Sequence, residues 1–551
     1  MIVEQTIEGN KPIIHLYQRN ESGKRLYKRI SEFKPYFYVP IGDEVPNSPL
    51  IKSVVGGKLT DIYGNPLKKV VVNIPSDVPK IRDKFSKHYE ADIVFTQRYI
   101  LDEIEEIPKE KLRICYIDIE TDGGLNPTKA DKAITSISLF DNYLDKFYTF
   151  VWRDDQKIGI VDGILGENEK TYFWKIFYFN KEEDVLQMFI DFIKDNDPDI
   201  ITGWNCEDFD MLYIYNRSAE LKLENLSPLK NVYLDRDGAV KIMGRIIFDE
   251  CDAYRVVTIG DNNKPESYRL DSISKYEGFE GKEFTSYNFD RKKYGNVYSY
   301  MWREKLVELI YYNVIDVLRC VQINQKRKVL DYFQELMIIG KLDWKDLGSF
   351  RSNNSSGLAL IETAKEKGIV LDSSHKSELT KSIEGGFVDK ATEGLYENIG
   401  CVDLKGLYSS IMISFNMGLE TLNKNGEIRL PNNVCFRKKP DSILKLTLLK
   451  IKRLRDEYKA LSKDYTIPEE KRAVYSQRSY GLKVKLNSFY GSLLNPYFRY
   501  FHQDIGESIP YMGRQINRYI TEKLEEMGFE IIYGDTDSKF FKIGEKFYDK
   551  I

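Results

Sequence analysis

Between Ile531 and Ile543 the chain reads IIYGDTDSKFFKI, and no other stretch constrains the fold as strongly. Apolar Ile531, Ile532 and Tyr533 lead into Gly534-Asp535-Thr536-Asp537, and Phe540, Phe541 and Ile543 lead out. Such a pattern predicts two short strands joined at an acidic tip. Asp535 and Asp537 stand two apart, so in extended chain they project to one side. Gly534 lets backbone and ligand come close there. Two crowded carboxylates resist joint ionisation unless a cation lies between them. Hard oxygen donors suit Mg²⁺ or Mn²⁺ and not zinc. A bare Asp-x-Asp is also an ordinary hairpin turn, so its meaning depends on what lies upstream.

At 551 residues the chain is long enough for about three or four domains. No apolar run approaches the length of a membrane span, and MIVEQTIEGNKP lacks the basic-then-apolar layout of a signal peptide. The six cysteines are scattered with no C-x-x-C pair, which argues against structural zinc and a disulfide framework. A cytoplasmic setting is expected, the host cytoplasm if the protein is viral. The net charge of −3 does not announce a nucleic-acid binder, but Lys450 to Lys485 carries a local net of +6. Basic helices are usually solvated faces, so charge alone does not assign phosphate contact.

Residues 1 to 107 alternate short apolar runs with Gly, Pro and Asn turns, a β-rich domain. Glu103 to Glu110 is acidic and Pro-interrupted, a plausible boundary. In Leu112 to Thr121, LRICYIDIET, a buried strand carries Asp118 and Glu120 on one face. Acids on an apolar strand are costly unless they bind something. Asp197 to Arg217 reads as a strand at Ile200-Ile201, a tight Gly203-Trp204-Asn205 loop and a helix opening at Phe209-Asp210. Leu306 to Val321 is helical by period and sets Tyr312 and Asp316 one turn apart on one face. Four acids on three elements suit two metal ions roughly 3.5–4 Å apart acting on a phosphodiester, and a nearby phenol can orient water. Singly, each has a plain structural reading: exposed Asp, helix cap, surface helix.

Farther on, Cys401 to Ile413, CVDLKGLYSSIMI, is a second acidic strand whose buried run ends at Asp403 and continues helically. Two long helices follow. Asp441 to about Asp464 sets Arg455 and Lys459 at i and i+4. Thr466-Ile467-Pro468-Glu469 predicts a capping-box start for the second, which runs to about Leu494. There Lys483, Asn487 and Tyr490 share one face, ending at Gly491. Cations facing a triphosphate are what phosphoryl transfer requires.

Taken together and in this order, these motifs resemble the family B DNA polymerases. Asp118 and Glu120, Asp210, and Tyr312 with Asp316 resemble the three exonuclease motifs. Asp403 lies in a motif A, KVKLNSFYG resembles motif B, and YGDTDS resembles motif C. Gly203-Trp204-Asn205, Tyr312 to Asp316 and Ser267 to Ser272 look closest to T-even bacteriophage replicative enzymes. The resemblance implies two Mg²⁺ (or Mn²⁺) ions per active site, held by Asp403, Asp537 and Asp535 in one and by Asp118, Glu120, Asp210 and Asp316 in the other. It implies dNTP contacts from Arg455, Lys459, Lys483, Asn487, Tyr490 and backbone amides from Leu404 onward, with Tyr408 beneath the sugar. Motif A departs from the family at Gly406 and Ser409, where Ser and Pro are usual. Glu384 to Val388 resembles the Gly-Gly loop near the template, and Tyr233 to Arg245 reads as a hairpin, which by sequence alone is equally a packing ribbon and which in the resembled family helps move the primer end.

The expected fold is multidomain α/β and α+β. It comprises a β-rich N-terminal domain (1–107, returning at about 330–376), an RNase H-like 3′→5′ exonuclease domain (108–329), a palm (377–440 and 496–551) and two-helix fingers (441–495). The chain ends eight residues after the palm hairpin, so the expectation is a partial palm without a thumb. A second polypeptide would then carry the thumb and contact a sliding clamp. Primer-template DNA is the expected partner, with no membrane. The rival readings are a free-standing exonuclease whose other half only grips DNA, and an inactive structural subunit.

Overall fold

Period-two patterning sets the first domain. Ile2–Glu8, Lys11–Arg19 and Arg25–Ile30 form one antiparallel sheet, and Pro66–Val72 lies between Tyr36–Pro40 and Ile51–Thr60 in another. The structure, a computed structural model, describes all residues except 168–169, 219–220, 259–263, 281–286, 347–351, 379–384, 386–392 and 544–551. A later segment pairs back onto the first domain. Thr60 N donates to Gly368 O, Val370 N donates to Thr60 O, and Val370 packs with Tyr36, Tyr38, Leu67 and Tyr89.

The middle of the chain is a seven-stranded mixed sheet. Its order is Gly159–Glu167, Lys170–Phe179, Lys146–Trp152, Ile134–Asp141, Ile114–Thr121, Ile200–Gly203 and Ile246–Asp249. Ile114–Thr121 sits inside it, antiparallel to Ile134–Asp141 and parallel to Ile200–Gly203. Cys115, Ile117 and Ile119 bury one face of that strand with Val185, Phe189 and Ile193 of the helix Glu182–Asn196. The helix Leu306–Arg327 covers the other face. Tyr233 to Arg245 does hold a hairpin: Val232–Leu234 pairs with Val240–Ile242, and Gly238 turns the chain at φ +85°.

The helices Val329–Gly340 and Ser352–Glu366 lead on toward the last part of the chain. The polar Ser352-Asn353-Asn354-Ser355-Ser356 stretch opens the second of these helices. Within it, buried Ser356 Oγ accepts from buried Ser492 Oγ at 3.1 Å.

The C-terminal region has a three-stranded antiparallel sheet with Ser538–Lys542 between Ile399–Asp403 and Glu530–Gly534. The acidic hairpin therefore forms as its pattern predicts. The strand before Asp403 is not buried, however: Ile399 and Cys401 are exposed, and among the described residues the strand lies at the edge of its sheet. Leu407–Ser414 and Gln503–Glu526 pack beside the sheet.

Two helices project between these halves. Ile443–Ser462 starts at Ser442, whose Oγ accepts from Lys445 N at 3.0 Å. Its partner is Glu469–Leu493. The expected capping box does not form, because the Thr466 N–H and hydroxyl both donate to Asp464 and Pro468 occupies the cap. Buried Glu335 ties this pair to the preceding domains, accepting from Arg478 Nε and Lys109 Nζ, each at 2.7 Å. Among the described residues no helix is long and apolar enough to cross a membrane.

Candidate active sites

Two carboxylate clusters stand on different sheets. The first is built on Ile114–Thr121. Strand alternation turns Asp118 and Glu120 toward the helix Leu306–Arg327, opposite Ser138 and Ser136 of the next strand. One oxygen each from Asp118, Glu120 and Asp316 lies within 4.8 Å of the others. Asp210 does not belong to that trio. It opens the helix Asp210–Arg217 and accepts from Ile119 N at 2.9 Å, so it backs onto the strand between the two acids. Burial pushes its pKa up to about 8, and the charges of Asp249 and Asp316 add to the rise.

The close approach of Ile200–Gly203 depends on glycine. A Cβ on Gly203 would lie 2.3 Å from the Ile117 carbonyl oxygen, next to Asp118. Beyond it, Asn205 turns the chain at φ +64°, and Trp204 Nε1 donates to Tyr268 O at 2.9 Å, drawing in the Ser267 to Ser272 segment. Tyr312 is half-buried, with its ring edge-on to Tyr298 at 6.3 Å. Burial, then the charges of Asp316, Glu120 and Asp118, raise its pKa and keep it a phenol.

Sequence reasoning missed two residues here. Asn313 is wholly buried and donates to Asp118 Oδ2 at 2.7 Å. Asp249 ends the last strand of the sheet. It accepts from the amides of Cys251, Asp252 and Glu207, and burial pushes its pKa up to about 6. An acid closing an apolar strand, as in Ile246–Asp249, was the available signal for Asp249. For Asn313 only its place beside Tyr312 could have served.

The second cluster joins both halves of the C-terminal sheet. Asp403 pairs with Ser538, and Leu404 N donates to Asp537 O at 2.8 Å. The Leu404 amide is thereby committed to the hairpin. Asp535 N donates to Ser538 O, and Thr536 N donates to Asp535 Oδ1. Burial, then the charges of Asp403 and Asp535, raise the pKa of Asp537, as crowding of carboxylates does. Asp403 gives way to a left-handed turn at Gly406 (φ +61°), a conformation that favours glycine over the family's serine.

Tyr408 and Tyr490 meet with ring centroids 4.6 Å apart, and Gly513 of the helix behind leaves room for Tyr408. Lys483 and Asn487 are exposed on the same helix as Tyr490, and exposed Lys459 and half-buried Arg455 lie on its partner. An exposed ion pair, Lys405 to Asp456 at 3.8 Å, links the loop after Asp403 to that partner helix. In the Glu384 to Val388 loop only Gly385 is described, its carbonyl accepting from Arg514 Nη1 at 2.6 Å; the rest, like the Glu545 to Ile551 terminus, lies outside the described residues.

Asp118, Glu120 and Asp210 fall within one segment that matches a known family and the second cluster within another, while Tyr312 and Asp316 lie between the two. Residues 71–273 match "DNA polymerase family B, exonuclease domain", and residues 350–551 match "DNA polymerase family B". The chain belongs to the family B DNA polymerases. Among curated family members, the DNA polymerase of Pyrococcus glycovorans is 27% identical over 97% of this chain and 70% of its own length. That of Thermococcus gorgonarius gives the same identity and coverage. The enzyme of Escherichia phage RB69 is 25% identical over 90% of this chain and 65% of its own. The leaning toward phage enzymes in the motifs is therefore not reflected in overall identity. The solved structure of the family B DNA polymerase from Pyrobaculum calidifontis matches all of this chain and 74% of its own, with a TM-score of 0.76 at 21% identity, a likeness of fold.

Proposed function

We propose that this family B polymerase extends primer-template DNA with dNTPs and removes 3′-terminal nucleotides at a second site. The observation that supports it is the convergence of Asp118, Glu120 and Asp316, together with Asp403 and the acidic hairpin on a separate sheet inside the segment 350–551 that matches the family. Both donor sets are carboxylate oxygens, which fit Mg²⁺ or Mn²⁺. Asp118, Glu120 and Asp316, backed by Asp210, would hold the ions of the exonuclease site, and Asp403, Asp537 and Asp535 those of the polymerase site. Two ions per site would stabilise the attacking and leaving oxygens of an in-line displacement.

The chain's own groups do the rest. In synthesis, Tyr408 lies beneath the incoming sugar and rejects a 2′-hydroxyl, while Tyr490 and Asn487 flank the nascent pair. Lys483, Arg455 and Lys459 neutralise the triphosphate and its leaving pyrophosphate, where positioning and charge carry most of the catalysis. In the exonuclease, the Tyr312 phenol orients the attacking water. The test compares dNTP incorporation on a primed template with degradation of single-stranded DNA, both with Mg²⁺. Degradation without incorporation would favour the free-standing exonuclease; neither activity would favour a structural subunit.

A further inference from the structure

Asn313, next to Tyr312 inside the helix Leu306–Arg327, has no exposed surface, and its side chain makes two hydrogen bonds. Its Nδ2 donates to Asp118 Oδ2 at 2.7 Å, and its Oδ1 accepts from Ser136 Oγ at 3.0 Å. The amide's orientation is fixed by its partners, since a carboxylate can only accept and the Ser136 hydroxyl donates to the other end. Ser136 is itself fully buried and stands opposite Glu120 in the strand register. A relay therefore runs from the strand Ile134–Asp141, through Asn313, to Asp118 on the neighbouring strand.

We infer that Asn313, held by Ser136, is a positioning residue for the exonuclease site: it fixes the Asp118 carboxylate so that Asp118, Glu120 and Asp316 converge on one cation. The inference rests on the exonuclease reading proposed above. A donor that cannot take up the carboxylate's charge holds one oxygen without competing as a cation, unlike a lysine at that position. It also fixes the torsion of a short side chain whose strand neighbours are all buried. Partners of this kind orient ligands, and their loss typically costs about 10–100-fold in metal affinity or activity. Ser136 acts one step farther out, so its loss frees the amide to rotate and has a smaller effect.

The experiment uses the full chain with the polymerase acids removed (Asp403→Ala, Asp537→Ala), so that bound metal reports on the exonuclease site. Mn²⁺ binding is read by loss of the free-ion electron paramagnetic resonance signal, independently of turnover. Asn313→Ala is expected to weaken Mn²⁺ binding about tenfold or more, Ser136→Ala by less, and Asn313→Gln to recover little because its longer arm misplaces the donor. In the chain with intact polymerase acids, Asn313→Ala raises the Mg²⁺ concentration giving half-maximal 3′-end release, and primer extension stays unchanged. Unaltered Mn²⁺ affinity in Asn313→Ala overturns the inference. If Asn313→Ala instead lowers extension and degradation together, with a lower melting temperature, Asn313 is only a packing residue and the inference also fails. Should Asn313→Ala weaken Mn²⁺ binding while the unsubstituted chain degrades no DNA, the positioning role stands and the exonuclease reading falls.

Discussion

Asn517, buried on the helix Gln503–Glu526, donates from Nδ2 to the carbonyl oxygens of Asp535 at 2.7 Å and Thr536 at 3.2 Å. The helix thus holds the tip of the acidic hairpin by its backbone, while the Asp537 carboxylate feels the charges of Asp403 and Asp535.

Asn517→Ala is therefore expected to lower primer extension by tenfold or more while 3′-end degradation persists. Two carbonyl groups lose their donor, at a cost of about 1–3 kcal/mol for a buried polar group left unsatisfied, and the acids lose their fixed spacing. The measurement is extension and degradation rates on the same DNA. Equal losses in both would mean that Asn517 supports the fold as a whole.

The double substitution Asp118→Ala with Glu120→Ala should abolish 3′-end degradation and leave synthesis nearly intact. Both acids belong to the seven-stranded sheet, whereas Asp403, Asp535 and Asp537 belong to the C-terminal one. Parallel loss of both activities would refute two independent sites.

Much of this arrangement is legible in the sequence because it is local. Alternation in LRICYIDIET and the apolar flanks of YGDTDS place Asp118, Glu120, Asp535 and Asp537 on their strands. What sequence could not supply is pairing at a distance. Asn313 meets Asp118 across 195 residues, and Asp249 faces Asp210 only because two parallel strands lie side by side. The exposed strand before Asp403 was misjudged for the same reason: apolar residues do not say whether their strand lies at an edge or in the middle. Thr466 failed as a cap because Asp464, two residues earlier, competes for its hydrogen bonds.

Tyr408→Ala should raise ribonucleotide incorporation, since the ring that meets Tyr490 at 4.6 Å is lost while the neighbouring acids stay in place. Misincorporation is read from alkali-sensitive sites in the product. A tyrosine-independent level of ribonucleotides would show that the gate lies elsewhere. Tyr408→Phe, which keeps the ring, should discriminate as the unsubstituted chain does.

Lys485 sets up a stability prediction of the opposite kind. It sits two residues from Lys483 but on the buried side of the helix Glu469–Leu493, only 8% exposed, near Glu362 and Lys450. Burial, with Lys450 adding to it and Glu362 opposing, pushes its pKa from 10.5 down to about 8. The unfolded chain therefore binds more protons than the folded one between pH 8 and 10.5, and stability rises with pH across that window. Below about pH 8 both states are protonated and the full cost of burying the charge is present, on the order of 3 kcal/mol. Lys485→Met keeps the length of the side chain without the charge. It should raise the melting temperature at pH 7, and the gain should shrink as the pH climbs from 8 to 10.5. Melting curves of both proteins across that range decide the matter: a gain that is constant with pH would assign the effect to packing, and a loss at pH 7 would mean that Lys485 stabilises the fold as a cation paired with Glu362.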